Sequence, residues 1–182
     1  MIIFASMKID EIPFYAGRYA SPLGDITLIA HGEQLISAGL KGQKHGPQLP
    51  QNAKISTECP AIFDAARRWF DRYFAGERPS PADIDTEVRG TDFQKKVWAL
   101  LRQIPYGQTI SYGQLSKVLA AESPSGRMSA QAIGGAVGRN PLCIIVPCHR
   151  VVGADGSLTG YDGGVHYKEW LLRHENALPK GL

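Results

Sequence analysis

The sequence predicts an α+β protein in two parts, an antiparallel sheet covered by a helix and then a mainly helical half. Short apolar runs separated by turn residues occupy residues 14–40, and apolar residues at helical spacing follow them. Residues 77–90 combine prolines, a glycine and alternating charges, which is the composition of an interdomain linker. We therefore expect an amino-terminal supporting domain over residues 1–88 and a second domain over residues 89–182.

Composition and cysteine usage limit the class of protein. A chain of 182 residues that is 43% hydrophobic can bury a core without disulfides. Its three cysteines, Cys59, Cys143 and Cys148, are odd in number and irregularly spaced, and no signal-like segment begins the sequence. No run approaches the ~20 apolar residues of a membrane span. We expect a cytoplasmic protein with no membrane partner.

The amino-terminal half predicts a three-stranded meander and one helix. Apolar runs at residues 14–19, 26–30 and 35–40 are separated by turn residues. Residues 41–57 are polar and show no period, so we predict a loop with no catalytic role there. An amphipathic helix follows and ends at Gly76. Its apolar stripe comprises Ile62, Phe63, Ala66, Phe70, Tyr73 and Phe74.

The carboxy-terminal half predicts four helices. Thr91 or Asp92 can cap the first, which a Pro-Tyr-Gly sequence ends, and Ser111 can cap the second. A third helix spans about residues 128–138 after a loop rich in Ser, Pro and Gly. The second and third helices are a helix-turn-helix candidate, although their connection is longer than usual. The last helix covers about residues 166–175.

Positive charge is concentrated in the second half. Residues 1–90 contain 10 Lys and Arg against 11 Asp and Glu, whereas residues 91–182 contain 10 against 6. Residues 93–154 contain 7 basic side chains and one acid, Glu122. This distribution favours a surface that faces phosphates. The alternative is an ordinary solvated helical face.

The candidate chemistry is centred on Cys148 and His149, which lie in an apolar run over residues 144–152 interrupted by Pro147. The run predicts a buried extended segment with a turn in its middle. A buried cysteine is often an inert small hydrophobe. Because burying the imidazole of His149 and the guanidinium of Arg150 without partners is costly, we favour a reactive thiol beside its base.

Two tandem glycines, Gly134 and Gly135, interrupt the third predicted helix. Each costs ~1 kcal/mol relative to alanine inside a helix, so close approach of another surface must compensate. That surface can be a neighbouring helix or the sugar-phosphate wall of a groove.

Three motifs carry a resemblance to a known family. They are Pro-Cys-His-Arg-Val-Val at residues 147–152, Thr-Gly-Tyr-Asp-Gly-Gly at 159–164 and Lys-Glu-Trp-Leu-Leu-Arg-His-Glu at 168–175. They closely resemble the O6-alkylguanine-DNA alkyltransferases, also called methylated-DNA–protein-cysteine methyltransferases. The resemblance is specific over residues 93–175 and looser over residues 17–76. It implies a ribonuclease-H-like sheet in the first domain and a winged-helix-like second domain with a helix-turn-helix.

The resemblance also implies direct-reversal DNA repair that needs no cofactor and no metal. Cys148 would accept the alkyl group of O6-alkylguanine, and of O4-alkylthymine, irreversibly and in a single turnover. A water-bridged relay through His149 to Glu175 would activate the thiol. Tyr112 would donate a proton to the leaving base, and Asn140 would brace the turn that leads to the cysteine.

In this family the damaged base is swung out of the duplex into a pocket. Backbone carbonyls of Cys148 and Val151 would hold its exocyclic amine. Tyr161 would pack on the alkyl side, and Gly163 is assigned to the same substrate-binding loop. Asp162 stands where the family often has serine, and it would place a negative charge near the pocket rim.

The third predicted helix would enter the minor groove of double-stranded DNA that carries the alkylated guanine. Its DNA-binding residues would be Ser129, Ala130, Gln131 and Gly134, with Arg139 after them. At Gln131 the family commonly has an arginine that fills the gap left by the extruded nucleotide, and glutamine lacks its charge. We expect a monomer and leave cooperative binding along DNA open.

Two other function classes compete with this one. A cysteine hydrolase would form a thioester that water can cleave, but no protease-type motif surrounds Cys148. A non-catalytic, alkyltransferase-like lesion-binding protein would lack the cysteine. A zinc site is disfavoured because Cys143, Cys148 and His149 do not have a recognised ligand spacing.

Overall fold

The computed structural model describes residues 12–51, 60–123 and 126–178, and it confirms the predicted α+β class. Cys59 and part of the polar loop predicted over residues 41–57 lie outside these ranges. The predicted meander is confirmed as an antiparallel sheet in the order β1-β2-β3. Its strands are β1 (Phe14–Ser21), β2 (Gly24–His31) and β3 (Gln34–Leu40).

Helix α1 (Ala61–Phe74) covers one face of this sheet. Phe63, Phe70 and Tyr73 are buried on its inner side, as the apolar stripe predicted. Gly17 on β1 allows this close packing, because a Cβ atom there would lie 2.9 Å from Phe63 Cε2. The sheet and α1 thus form one layered unit against which the second half packs.

The second half contains helices α2 (Asp92–Leu101), α3 (Tyr112–Ala121), α4 (Ala130–Gly138) and α5 (Val165–His174). Thr91 and Ser111 cap α2 and α3, and each side chain accepts a hydrogen bond from the amide three residues later. Ser129 caps α4 in the same way, so this helix begins at Ala130, two residues after the predicted start at about residue 128. Helices α3 and α4 pack together as the helix-turn-helix pattern predicted.

A two-stranded parallel sheet, which was not expected from the sequence, connects α3 to the cysteine segment. Strand β4 (Ile110–Ser111) pairs with β5 (Val151–Val152). A 3-10 turn over Cys148–Arg150 immediately precedes β5. The apolar run is therefore buried as predicted, with its turn at the expected place. The β4–β5 pairing sets Tyr112, the first residue of α3, beside that turn.

The two halves are joined through strand β3. The Ala38 amide donates to Pro141 O, and Ala38 O accepts from the Cys143 amide, both at 2.8 Å. Leu35 on the same strand pairs with the linker over residues 85–87. The sheet therefore supports the segment that leads to the 3-10 turn. Across the described ranges, no helix combines the length and apolar character needed to cross a membrane.

Candidate active site

Cys148 begins the 3-10 turn and is buried, with 7% of its surface exposed. The segment before it is tightly folded: Ile144 has φ of 72°, a left-handed conformation that is strained for a β-branched residue. The Val146 amide donates to Leu142 O at 2.8 Å and closes this turn. Val151, whose carbonyl was assigned to substrate, begins β5 and is fully buried. The surrounding backbone therefore fixes the position of the sulfur.

Asn140 connects the parts of this turn. Its Nδ2 donates to Val146 O at 2.7 Å and lies 3.1 Å from Cys148 Sγ. Its Oδ1 accepts from the Leu142 amide at 3.0 Å. The structure thus places Asn140 as a brace within the turn and adds a direct contact with the sulfur. An N–H group that donates to sulfur favours the thiolate form.

Glu175 follows α5 as a buried carboxylate with polar partners on several sides. Arg150 donates to it from Nε at 2.8 Å and from Nη2 at 2.9 Å. The Tyr73 hydroxyl donates at 2.7 Å and the Gly107 amide at 3.3 Å. His149 Nε2 lies 2.8 Å from Glu175 Oε1. Both His149 and Glu175 side chains are fully buried, so this network is shielded from solvent.

These contacts determine the protonation of the pair. Burial alone would raise the pKa of Glu175, but hydrogen bonds and charge from His149 and Arg150 hold that pKa well below its usual range. Burial lowers the pKa of His149 and outweighs the opposing effect of Glu175. Because an ionised carboxylate only accepts hydrogen bonds, Nε2 of the neutral ring carries the hydrogen. Nδ1 is then a free acceptor, with no hydrogen-bond partner among the described residues.

Lys168 is a site residue that the sequence reasoning missed. It is fully buried on α5, and its Nζ donates to Thr159 O at 2.7 Å. Burial lowers its pKa to about 8. Burial raises the pKa of Cys148, whereas the Asn140 hydrogen bond and the charge of Lys168 lower it. The available signal was helical spacing, since Lys168 precedes Glu175 by seven residues and so faces the same side of the last helix.

Tyr112 approaches the site from the start of α3. Its hydroxyl lies 3.5 Å from Gly160 O, and a Cβ atom at Gly160 would lie 2.9 Å from the same hydroxyl. Burial, and then the charge of Cys148, raise the pKa of Tyr112 to about 12. Lys168 Nζ lies 5.9 Å from the centroid of the phenol ring. The phenol is therefore protonated near neutral pH and able to donate a proton.

Tyr161, Asp162 and Gly163 lie on one loop at the site. Tyr161 is buried, and its hydroxyl lies 2.9 Å from Cys143 Sγ. The carboxylate of Asp162 has partners in His45: the His45 amide donates to Oδ2 at 2.8 Å, and His45 Nδ1 lies 2.8 Å from Oδ1. The polar loop after β3, for which we predict no catalytic role, therefore reaches the loop that carries Tyr161, Asp162 and Gly163. Within the described parts of the chain, no group of three or more His, Cys, Asp or Glu side chains could hold a metal ion.

The residues assigned to DNA cluster on the amino-terminal part of α4. Ser129, Ala130 and Gln131 are exposed, and a Cβ atom at Gly134 would meet no atom within 4 Å. Among the described residues, no neighbouring helix therefore packs closely against Gly134. The other surface considered for this glycine, the wall of a DNA groove, stays a prediction. Arg139 is exposed after the last turn of α4, and its Nη1 donates to a carbonyl of that helix at 3.3 Å.

Comparison with known proteins identifies the family. Two sequence-family models match this chain. The ribonuclease-like domain of 6-O-methylguanine DNA methyltransferase matches residues 14–88, and the DNA binding domain of 6-O-methylguanine DNA methyltransferase matches residues 92–177. A methylated-DNA–protein-cysteine methyltransferase of Shigella flexneri is 50% identical over 172 residues, which cover 88% of this chain and 95% of that protein. A crystal structure of Mycobacterium tuberculosis OGT in complex with DNA has a TM-score of 0.76 at 39% identity and covers 90% of this chain and 93% of its own. The chain belongs to the 6-O-methylguanine DNA methyltransferase family.

Proposed function

We propose that this protein repairs alkylated DNA by moving the alkyl group from O6 of guanine onto Cys148 in a single turnover. One observation carries the proposal: the buried thiol contacts Asn140 and is followed in sequence by His149, whose Nε2 lies 2.8 Å from Glu175 Oε1. This is the arrangement of an activated nucleophile with an oriented base. The related methyltransferases are named for methylated DNA, which supplies the substrate class.

Activation begins with removal of the Cys148 proton. Nε2 of His149 is engaged by Glu175, and Nδ1 has no partner in the described chain, so Nδ1 is the base. Because Cys148 and His149 are sequence neighbours, we infer that a water molecule carries the proton between them. Glu175 stabilises the imidazolium that forms. Lys168 and the Asn140 amide stabilise the thiolate that remains.

Transfer then follows in line. The thiolate attacks the alkyl carbon, the S–C bond forms as the bond from carbon to O6 breaks, and the electron pair stays with guanine. Tyr112 donates its hydroxyl proton to a ring nitrogen of the base, and the proton taken from the thiol by His149 returns through solvent to the tyrosinate. The net transfer therefore moves one proton from the thiol to guanine. Backbone carbonyls of Cys148 and Val151 hold the exocyclic amine, while Tyr161 contacts the alkyl group. Water does not cleave the thioether product, so each protein molecule reacts once.

The competing functions fit less well. A cysteine hydrolase could use the same base, but family membership and the exposed face of α4 both favour a DNA substrate. A lesion-binding protein without chemistry would not need Cys148 or the polar network behind it.

DNA recognition is proposed for the exposed start of α4, with the base flipped into the site. Ser129, Ala130, Gln131 and Gly134 would lie in the minor groove, and Arg139 would contact the backbone. The open space above Gly134 supports this assignment. We also propose O4-alkylthymine as a second substrate, a monomeric state, and a supporting role for residues 1–88.

The proposed function predicts that Cys148 gains one alkyl group when the protein meets duplex DNA that carries O6-methylguanine. Peptide mass spectrometry should find the added methyl group on Cys148 and none on Cys59 or Cys143. Burial raises the pKa of the Cys143 thiol, which makes it a poor nucleophile. Cys148→Ser is the matched inactive control. Several turnovers per protein molecule would refute the stoichiometric mechanism.

Replacing Lys168 with methionine should slow alkylation at pH 7 by about tenfold, as expected if the pKa of the Cys148 thiol rises by about 1. The pKa of Lys168 is about 8, so the parent side chain is charged at pH 7. Since the reaction needs the thiolate, the rate should rise with pH in both proteins, and the curve of the variant should lie at higher pH. Lys41→Met, at an exposed position outside the basic second half, is the control. Superimposable pH–rate curves would contradict a role for Lys168 in thiol ionisation.

Replacing Gln131 with arginine should accelerate repair of duplex DNA and leave the reaction with free O6-benzylguanine unchanged. A plugging side chain stabilises only the flipped state, which the free base does not require. A tenfold change corresponds to about 1.4 kcal/mol, within reach of one side chain. Gln131→Ala should slow duplex repair further. If both variants repair duplex DNA at the parental rate, Gln131 does not fill the gap in the stack.

A further inference from the structure

The loop after β3, residues 40–47, contacts the loop over residues 160–164 of the active site through His45. We call residues 160–164 the site loop. The His45 amide donates to Asp162 Oδ2, and His45 Nδ1 lies against Asp162 Oδ1, each at 2.8 Å. The Asp162 side chain is 11% exposed and that of His45 is 35% exposed, so the contact is partly shielded from solvent. Two hydrogen bonds to one carboxylate fix its direction as well as its position.

The loop after β3 is held in its conformation by internal hydrogen bonds and by packing against β3. Gln43 Oε1 accepts from the Leu40 amide at 2.7 Å, and the Gly46 amide donates to Gln43 O at 3.3 Å. Pro47 packs against Gly39 so closely that a Cβ atom at Gly39 would overlap the proline ring. The segment from Leu40 to Pro47 is therefore an ordered loop of the amino-terminal half, which we call the arm. Its contacts fix the position of the His45 backbone.

The site loop depends on such anchors because glycines begin and end it. Gly160 has φ of 72° and Gly164 has φ of 105°, so both ends of the loop adopt backbone conformations that favour glycine, the residue with the greatest backbone freedom. Inside the carboxy-terminal half, the loop is held by the contact of Tyr112 with Gly160 and by the contact of Tyr161 with Cys143. The third anchor is His45, and it comes from the other half of the molecule.

The arm also limits the space behind the loop. A Cβ atom at Gly163 would lie 3.2 Å from Gln43 Cγ, so the loop rests directly on the arm. Cys148 is only 7% exposed and Tyr161 only 9%, so there is little free space at the sulfur. An alkyl group larger than methyl would need the loop to move outward, and the contact between His45 and Asp162 resists that movement.

We propose that His45 is a positioning residue that restricts the size of the alkyl group accepted by Cys148. Its ring holds Asp162, and thereby Tyr161 and Gly163, in the place suited to a small group such as methyl. Release of this contact widens the pocket for bulky groups such as benzyl. The inference rests on the proposed alkyl transfer, and it gives the amino-terminal half a part in substrate selection.

The test compares alkylation rates of Cys148 with oligonucleotides that carry O6-methylguanine or O6-benzylguanine. His45→Ala should raise the ratio of benzyl to methyl rate by about fivefold, which corresponds to about 1 kcal/mol and is within the range of one side-chain hydrogen bond. His45→Asn should restore the parental ratio, because its amide nitrogen can replace Nδ1 as donor to Asp162. Lys44→Ala, at an exposed position of the same arm, is the matched control.

A second measurement does not depend on chemistry. Hydrogen exchange of the amides in residues 160–164 should be faster in His45→Ala than in the parent and in Lys44→Ala. Equal changes in both alkylation rates, or an unchanged ratio with unchanged exchange, would overturn the role of His45. Absence of Cys148 alkylation in the parent protein would instead refute the proposed function, and the exchange measurement would still show whether His45 holds the loop.

Discussion

The buried carboxylate of Glu175 is the constraint on which the rest of the site depends. It accepts hydrogen bonds from Tyr73 on α1, Arg150 in the 3-10 turn and His149 beside the thiol. An uncompensated charge in such a place is strongly destabilising, and removing one partner of a buried pair typically costs about 3–5 kcal/mol. The same network therefore stabilises the packing of the two halves and sets the protonation of the base. Stability and reactivity cannot be separated here.

The pKa of the Cys148 thiol is set by opposing effects. Burial protects Cys148 but raises its pKa, which reduces the fraction of reactive thiolate. Asn140 and Lys168 oppose that shift from two sides, one by a hydrogen bond and the other by its charge. Lys168 is itself placed by burial on α5 and by its bond to Thr159 O. A cysteine that reacts once needs to form the thiolate only when substrate is bound. Burial keeps the thiol protonated before then, and Asn140 and Lys168 stabilise the thiolate once it forms.

Local sequence patterns predicted what local physics determines. The helix caps at Thr91 and Ser111 and the turn at Pro147 follow from short-range hydrogen bonding and backbone restriction. The contact of His45 with Asp162 joins residues 117 positions apart, and no periodicity or cap encodes it. The pairing of β4 with β5 was equally hidden, because two-residue strands have no alternation to detect. The motifs named the site residues through resemblance, but the burial of Lys168 required the packed structure.

The mechanism requires His149 to be a neutral base with its hydrogen on Nε2, held by an ionised Glu175. Nitrogen-15 NMR of protein labelled at histidine tests it directly, because ring chemical shifts and couplings distinguish the two neutral tautomers and the imidazolium. We expect a neutral ring protonated at Nε2 at pH 7, and loss of that tautomer preference in Glu175→Gln. An imidazolium at pH 7, or a neutral ring protonated at Nδ1, would contradict it, since neither leaves a lone pair on Nδ1 to accept the thiol proton.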